Sequence, residues 1–160
     1  MSDRTFSHFD ETGGISMVDV DSKQPTRREA LAAATVRMSP KTLQKLIDRT
    51  LPKGDVLTTA KVAGVLGAKQ TSALIPLTHP IAITSIDVTF DIDPSSGTIE
   101  IHSIVRSEGK TGVEIEAMTA CAIAALTIYD MCKSAEKGIV IETVQLMRKS
   151  GGKSGTWERS

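Results

Sequence analysis

The stretch from Ile86 to Asp93 alternates without exception: Ile86, Val88, Phe90 and Ile92 are apolar, while Asp87, Thr89, Asp91 and Asp93 are polar. A period of two puts every apolar side chain on one face of an extended strand, so one face of this segment is buried. Pro94-Ser95-Ser96-Gly97 makes the turn, and Ile99, Ile101 and Val105 return on a partner strand. The pair is an antiparallel hairpin, and its apolar face needs a covering layer.

Helices supply that layer. Ser39-Pro40 starts one, with a hydroxyl to cap free N–H groups and proline where its missing N–H costs nothing. Leu43, Leu46 and Ile47 give it a face, and it runs to about Arg49. Pro52-Lys53-Gly54 breaks it, and Asp55 caps a second helix that runs to about Ser72 on Val56, Ala60, Ala63 and Gly67. Pro76 and Pro80 bracket the loop Leu77-Thr78-His79, and Gly109-Lys110-Thr111-Gly112 forms another. Met118, Cys121, Ala122, Ala125, Tyr129 and Cys132 mark the stripe of a long helix ending near Gly138, and Ile139 to Lys149 reads as a closing strand.

Signals conflict only from Arg28 to Met38, where the alanines favour helix and Thr35-Val36-Arg37-Met38 alternates like a strand. Reading it as a strand completes β-α-β-β-α-β with the first helix split in two. This is a ferredoxin-like α+β fold, helices packed on one antiparallel sheet, and that consistency decides for the strand. The expected organisation is a flexible N-terminal arm over residues 1–25, one domain over 26–150 and a Gly/Lys/Ser-rich tail over 151–160. Met17-Val18-Asp19-Val20 is expected to dock as a short strand.

Composition removes several functions. With 19 Lys plus Arg against 19 Asp plus Glu among 160 residues, the formal charge is zero, so no overall field attracts nucleic acid. Aromatics are 3% of the chain, and Phe90 is the only one in the hairpin strands, too few for stacking RNA bases. The apolar run Ala117 to Ile128 is shorter than the ~20 residues that span a bilayer. Two cysteines, Cys121 and Cys132, make no disulfide framework, and a reducing cytoplasm is expected.

Polar residues in loops and at helix ends carry what chemistry there is. Lys149-Ser150-Gly151-Gly152-Lys153-Ser154-Gly155 invites comparison with the phosphate loop G-x-x-x-x-G-K-[ST], but Met147 stands at the first glycine position and too little chain follows for the helix. Alone it reads as a solvated flexible tail that can offer N–H groups and charge to an anion. Asp130 and Lys133 share a helix face, an ordinary surface pair by themselves. Glu114 and Glu116 suit the positive end of the same helix, and Lys53 precedes an N-cap. His79 sits between prolines, while His8 and His102 are scattered, so no metal site is expected. Gathered at one place, the cationic groups would suit an anionic small molecule.

Several of these segments carry a resemblance: Met17-Val18-Asp19-Val20, Lys53-Gly54-Asp55-Val56, Ala63-Gly64, Ala68-Lys69, Leu74 to Pro80, Gly109 to Met118, Ala124 to Lys133 and Lys149 to Gly155. Together they resemble the cyclic pyranopterin monophosphate synthases of molybdenum cofactor biosynthesis. One departure is Thr78, where that family usually has cysteine. The resemblance implies a phosphorus–oxygen lyase that converts (8S)-3',8-cyclo-7,8-dihydroguanosine 5'-triphosphate to cyclic pyranopterin monophosphate and diphosphate. It implies a homohexamer, a trimer of dimers with sites between subunits, and no partner in nucleic acid or membrane. No cofactor is required, with Mg²⁺ an optional companion of the triphosphate.

By the same resemblance Lys53, Asp130 and Lys133 form the catalytic core. Lys133 is expected to be the proton carrier, oriented by Asp130, with its usual pKa of about 10.4 lowered by other cations, Lys53 among them, or by desolvation. Leu77, Thr78, His79, Glu114, Ile115 and Glu116 are expected around the substrate, and Arg28, Lys149 and Lys153 on its phosphates. The competing reading is a non-catalytic oligomeric module that binds a nucleotide or other anion.

Overall fold

The expected hairpin is the outer part of one antiparallel sheet in a computed structural model that describes residues 15–160. The elements are β1 (Thr26–Arg37), α1 (Pro40–Ile47), α2 (Val56–Lys69), α3 (Thr71–Leu74), β2 (Ile83–Asp93), β3 (Thr98–Gly109), α4 (Glu114–Cys132), β4 (Val140–Ser150) and β5 (Trp157–Glu158). The strands lie in the order β2-β3-β1-β4-β5, so without β5 the sheet is the ferredoxin-like one. Val88 pairs with Ser103, Phe90 with Ile101 and Ile92 with Ile99, which puts the apolar face of both strands under the helices. Gly97 closes the turn with φ of +73°; a Cβ there would overlap the carbonyl oxygen of Met38.

β1 takes the centre of the sheet despite its alanines, pairing with β3 on one side and β4 on the other. Ala30, Ala32, Ala34 and Val36 are fully buried in alternation, and two ladders of backbone bonds override a helical preference of tenths of a kcal/mol per residue. Small side chains there let α4 lie close. On its other side α4 meets α2 at Gly67, where an added Cβ would come within 2.7 Å of Ile123.

Four expectations need correction. Met17 to Val20 forms no strand, although Val18 and Val20 are half-buried and Met17 and Asp19 exposed, the alternation that the sequence suggested. The second helix stops at Lys69, and the buried hydroxyl of Thr71 donates to the carbonyl of Ala68 (2.9 Å), starting the separate turn of α3. α4 ends at Cys132 rather than near Gly138, because Glu136 turns back to accept bonds from the N–H (3.0 Å) and hydroxyl (2.6 Å) of Ser39 at the start of α1. Its buried surface is also broader than the expected stripe. Ala117, Ala120, Ala124, Ile128 and Met131 are buried, and Met118, Ala122 and Tyr129 only partly, since sheet and α2 cover two sides. That coverage accounts for the helix's apolar length, which would suffice for a membrane span by composition.

The tail is the other departure: β5 pairs back onto Arg148 and Lys149 of β4 and adds a fifth strand. Of the expected flexible arm over residues 1–25, the first 14 residues, with His8, lie outside the described residues.

Candidate active site

The last turn of α4 carries Asp130 and presents Lys133 as its C-cap. The Lys133 ammonium donates to Oδ1 of Asp130 (2.7 Å), and Lys53 donates to Oδ2 (2.5 Å) and to the Asp130 carbonyl (3.1 Å). Lys53 reaches them from the turn between α1 and α2, where Gly54 adopts φ of +85°. The two ammonium groups hold the Asp130 carboxyl down to about 2, Lys133 contributing most. Asp130 in return raises the pKa of Lys133, which corrects the expected depression: Lys53 shares the carboxylate with Lys133, and the carboxylate's pull dominates. The cluster is open, its side chains being 43%, 52% and 51% exposed for Lys53, Asp130 and Lys133.

The other end of α4 forms the wall of a cavity of about 830 Å³. Five cations line it, Lys23, Arg28, Lys110, Lys149 and Lys153, against one carboxylate, Glu114, among the described residues. Such a charge balance favours a multiply charged anion. Arg28 also holds the walls together, donating from Nε to the Gly109 carbonyl and from a terminal nitrogen to the Lys110 carbonyl, both at 3.3 Å. Its guanidinium lies beneath the turn at Gly151 and Gly152, both with positive φ; a Cβ on Gly152 would collide with it. The Thr26 hydroxyl at this wall is buried with no hydrogen-bond partner among the described residues.

A second cavity, about 410 Å³, shares Lys23, Thr111, Gly112 and Glu114 with the first. Its own lining is mixed: Val18, Val20, Leu77 and Ile81 are apolar, and Thr78, His79, Ile115 and Glu116 complete it. The Thr78 hydroxyl donates to the Ile75 carbonyl (2.9 Å), fixing the turn that presents His79. Glu116, 3% exposed, is the most buried charged side chain here. Burial, with a smaller push from Glu114, raises its carboxyl to about 7.

The structure therefore gathers the expected residues into two groups. Arg28, Lys149 and Lys153 meet at the cationic cavity, and Leu77, Thr78, His79, Ile115 and Glu116 meet beside it, with Glu114 on both. Lys53, Asp130 and Lys133 form their own cluster at the far end of α4, about 24 Å away at 1.5 Å per residue. Within one chain the three do not share a cavity with the rest. Residues not foreseen include Lys23, Lys110, Thr111, Gly112, Val18, Val20 and Ile81. Lys110, Thr111, Gly112 and the two valines sit inside stretches that carry the resemblance, which was the available signal; Lys23 had none.

Comparison with known proteins agrees with that resemblance. A profile of the MoaC family matches residues 17–152. A cyclic pyranopterin monophosphate synthase of Geobacter sulfurreducens is 55% identical over 155 residues, 97% of each chain. Those of Geobacter metallireducens and Nitratidesulfovibrio vulgaris are 56% and 53% identical, over 97% and 95% of this chain and 97% and 94% of theirs. Matched from the N-terminal valines to the glycine turn over Arg28, this chain belongs to the MoaC family.

Proposed function

We propose that the chain is a phosphorus–oxygen lyase that converts the cyclised dihydroguanosine triphosphate into cyclic pyranopterin monophosphate and diphosphate. The observation that carries this reading is the pair of joined cavities, one cationic and one part-apolar with a buried carboxyl. A triphosphate suits the first and the purine-derived ring the second. In the phosphate step a sugar hydroxyl attacks the α-phosphorus. One P–O bond forms, the bond to the bridging oxygen breaks, the hydroxyl proton passes to a base and diphosphate leaves with the bonding electrons. Lys149 and Lys153 stabilise the charge that develops on the leaving group. Thr111 and the loop backbone keep the chain of phosphates in line. Glu116, poised near neutrality, and His79 exchange protons with the ring during its opening and rebuilding.

Lys53, Asp130 and Lys133 enter from another copy of the chain. Two features support this: the side chains of the cluster are about half exposed, and the helix layer leaves Val62, Leu66, Leu74 and Leu126 more than half exposed, as an assembling surface would. A hexamer, a trimer of dimers in the cytoplasm, is the assembly we propose. Brought against the cationic cavity, Lys133 would lose its raised pKa to the surrounding positive charge and become able to take a proton. No resident metal or cofactor is invoked, and any Mg²⁺ would arrive with the triphosphate.

The test is Lys133→Ala, which removes the proton carrier from an exposed position. Product formation, read as fluorescent pterin after oxidation, should fall by at least about 10³-fold, with assembly unchanged and Tm lowered only by the small contribution of an exposed ion pair. Wild-type rates in that variant overturn its role. A wild-type chain that binds the triphosphate tightly and yields no product would instead favour the non-catalytic module.

A further inference from the structure

Trp157, Glu158 and Arg159 line neither cavity of the site, yet they are tied down at four points. Trp157 and Glu158 pair with Lys149 and Arg148. The N–H of Arg159 donates to the Met147 carbonyl, and its Nε to the Leu146 carbonyl, both at 2.8 Å. The same guanidinium stands 5.7 Å from the centre of the Trp157 ring. A two-residue strand is marginal alone, so the arginine and tryptophan contacts decide whether it stays in place.

What they hold is the loop between β4 and β5. Gly155 donates to the Gly152 carbonyl (3.2 Å), the Lys149 ammonium meets the Ser154 hydroxyl, and three glycines supply left-handed backbone. On its inner side the loop rests on Arg27 and Arg28. Gly152, Lys153 and Ser154 of this loop, with Lys149 at its base, form one wall of the cationic cavity. Cut at its outer end, the wall would become a free tail.

We propose that Trp157 and Arg159 form a latch that pre-sets the Lys149 and Lys153 side of the cavity for a polyphosphate, Arg159 acting as a positioning residue that never touches the ligand. The latch rests on the reading of this cavity as the phosphate end of the site. Holding a loop in its bound shape lowers the ordering cost of binding, so loosening it weakens binding and misplaces the charges of Lys149 and Lys153.

The experiment compares wild type, Arg159→Ala, Arg159→Lys, Lys153→Ala and a chain ending at Thr156. It measures KM and kcat for the cyclised triphosphate and calorimetric affinity for inorganic triphosphate over a range of salt. Arg159→Ala and the shortened chain should weaken triphosphate binding about tenfold and lower kcat/KM for the cyclised triphosphate by at least as much, kcat falling as well because Lys149 and Lys153 also stabilise the leaving group. Arg159→Lys, which keeps a donor and the charge over the ring, should recover part of the loss. The salt dependence should stay that of wild type in Arg159→Ala and flatten in Lys153→Ala, because only the second removes a charge from the ligand's surroundings. If wild type binds triphosphate and Arg159→Ala matches it in affinity and kcat/KM, the latch is wrong and the cavity reading stands. If wild type binds no triphosphate, both fall.

Discussion

The two ends of α4 treat a carboxyl group in opposite ways. At the N-terminal end Glu116 is withdrawn from water and its pKa climbs to about 7; at the C-terminal end Asp130 lies between two ammonium groups and falls to about 2. One end is built by desolvation, with walls from the N-terminal segment, β1, the loop before α4 and the tail. The other is built by charge pairing in the open. A walled cavity whose own proton-exchanging groups face the ring and an exposed amine–carboxylate cluster are complementary halves. This is the physical ground for reading the site as shared between copies.

Mixing two dead variants tests that complementarity with the largest effect. Lys133→Ala keeps the cavity and loses the carrier, whereas the double variant Lys149→Ala/Lys153→Ala does the reverse. Co-expressed with different tags, they should form mixed assemblies in which about a quarter of the sites are intact, each site drawing on two copies. Activity of the purified mixed species near that fraction of wild type supports a shared site. No recovery above either parent would show that each site is completed by a single chain.

A smaller effect sharpens the open end. In Asp130→Asn the partner that raises the pKa of Lys133 is gone, so that pKa should fall. The limb of the pH–rate profile reporting this amine then moves to lower pH, while kcat drops because the ammonium loses its orientation. A limb that stays in place would mean that Lys133 does not titrate in catalysis. The stabilising contribution of the pair runs with the same signs. For Asp130 it is present above 3.8 and lost as pH falls through about 2; for Lys133 it is present below 10.5 and lost as pH rises through the raised value.

Periodicity and capping made most of this fold legible. Ile86 to Ile92 needed only its alternation, and Ser39 and Asp55 cap α1 and α2 as their side chains suggest, accepting from Thr42 and Thr58. β1 was legible only through consistency with its neighbours, because alanine carries no strand preference. β5 left no trace, since two residues show no period, and the Arg159 contacts beside it reach carbonyls 12 and 13 residues back. The site divides the same way. Asp130 and Lys133 were visible from their spacing, but Lys53 meets Asp130 across 77 residues, which only the resemblance supplied. The burial of Glu116 was hidden too, because a glutamate at a helix start reads as a partner for the dipole. Whether it faces water depends on where Leu77, His79 and Val20 dock, a tertiary matter with no local signature.

That burial yields the smallest effect, and a signed one. The Glu116 pKa is raised on folding, from 4.5 to about 7, so the folded chain prefers the neutral carboxyl. Its contribution is full below about pH 4.5 and is lost as pH rises through about 7, where the folded state must bury a charge. Wild-type Tm should therefore decline between about pH 5 and 8 by an amount that Glu116→Gln, neutral throughout, does not show. Allowing for relaxation and water entry, the difference is on the order of 1 kcal/mol, about 2–4 °C for a chain of this length. Scanning calorimetry at fixed protein concentration reads it directly. Parallel pH slopes for the two proteins would mean that the carboxyl is already hydrated, and the contrast between the two ends of α4 would shrink to one of charge pairing alone.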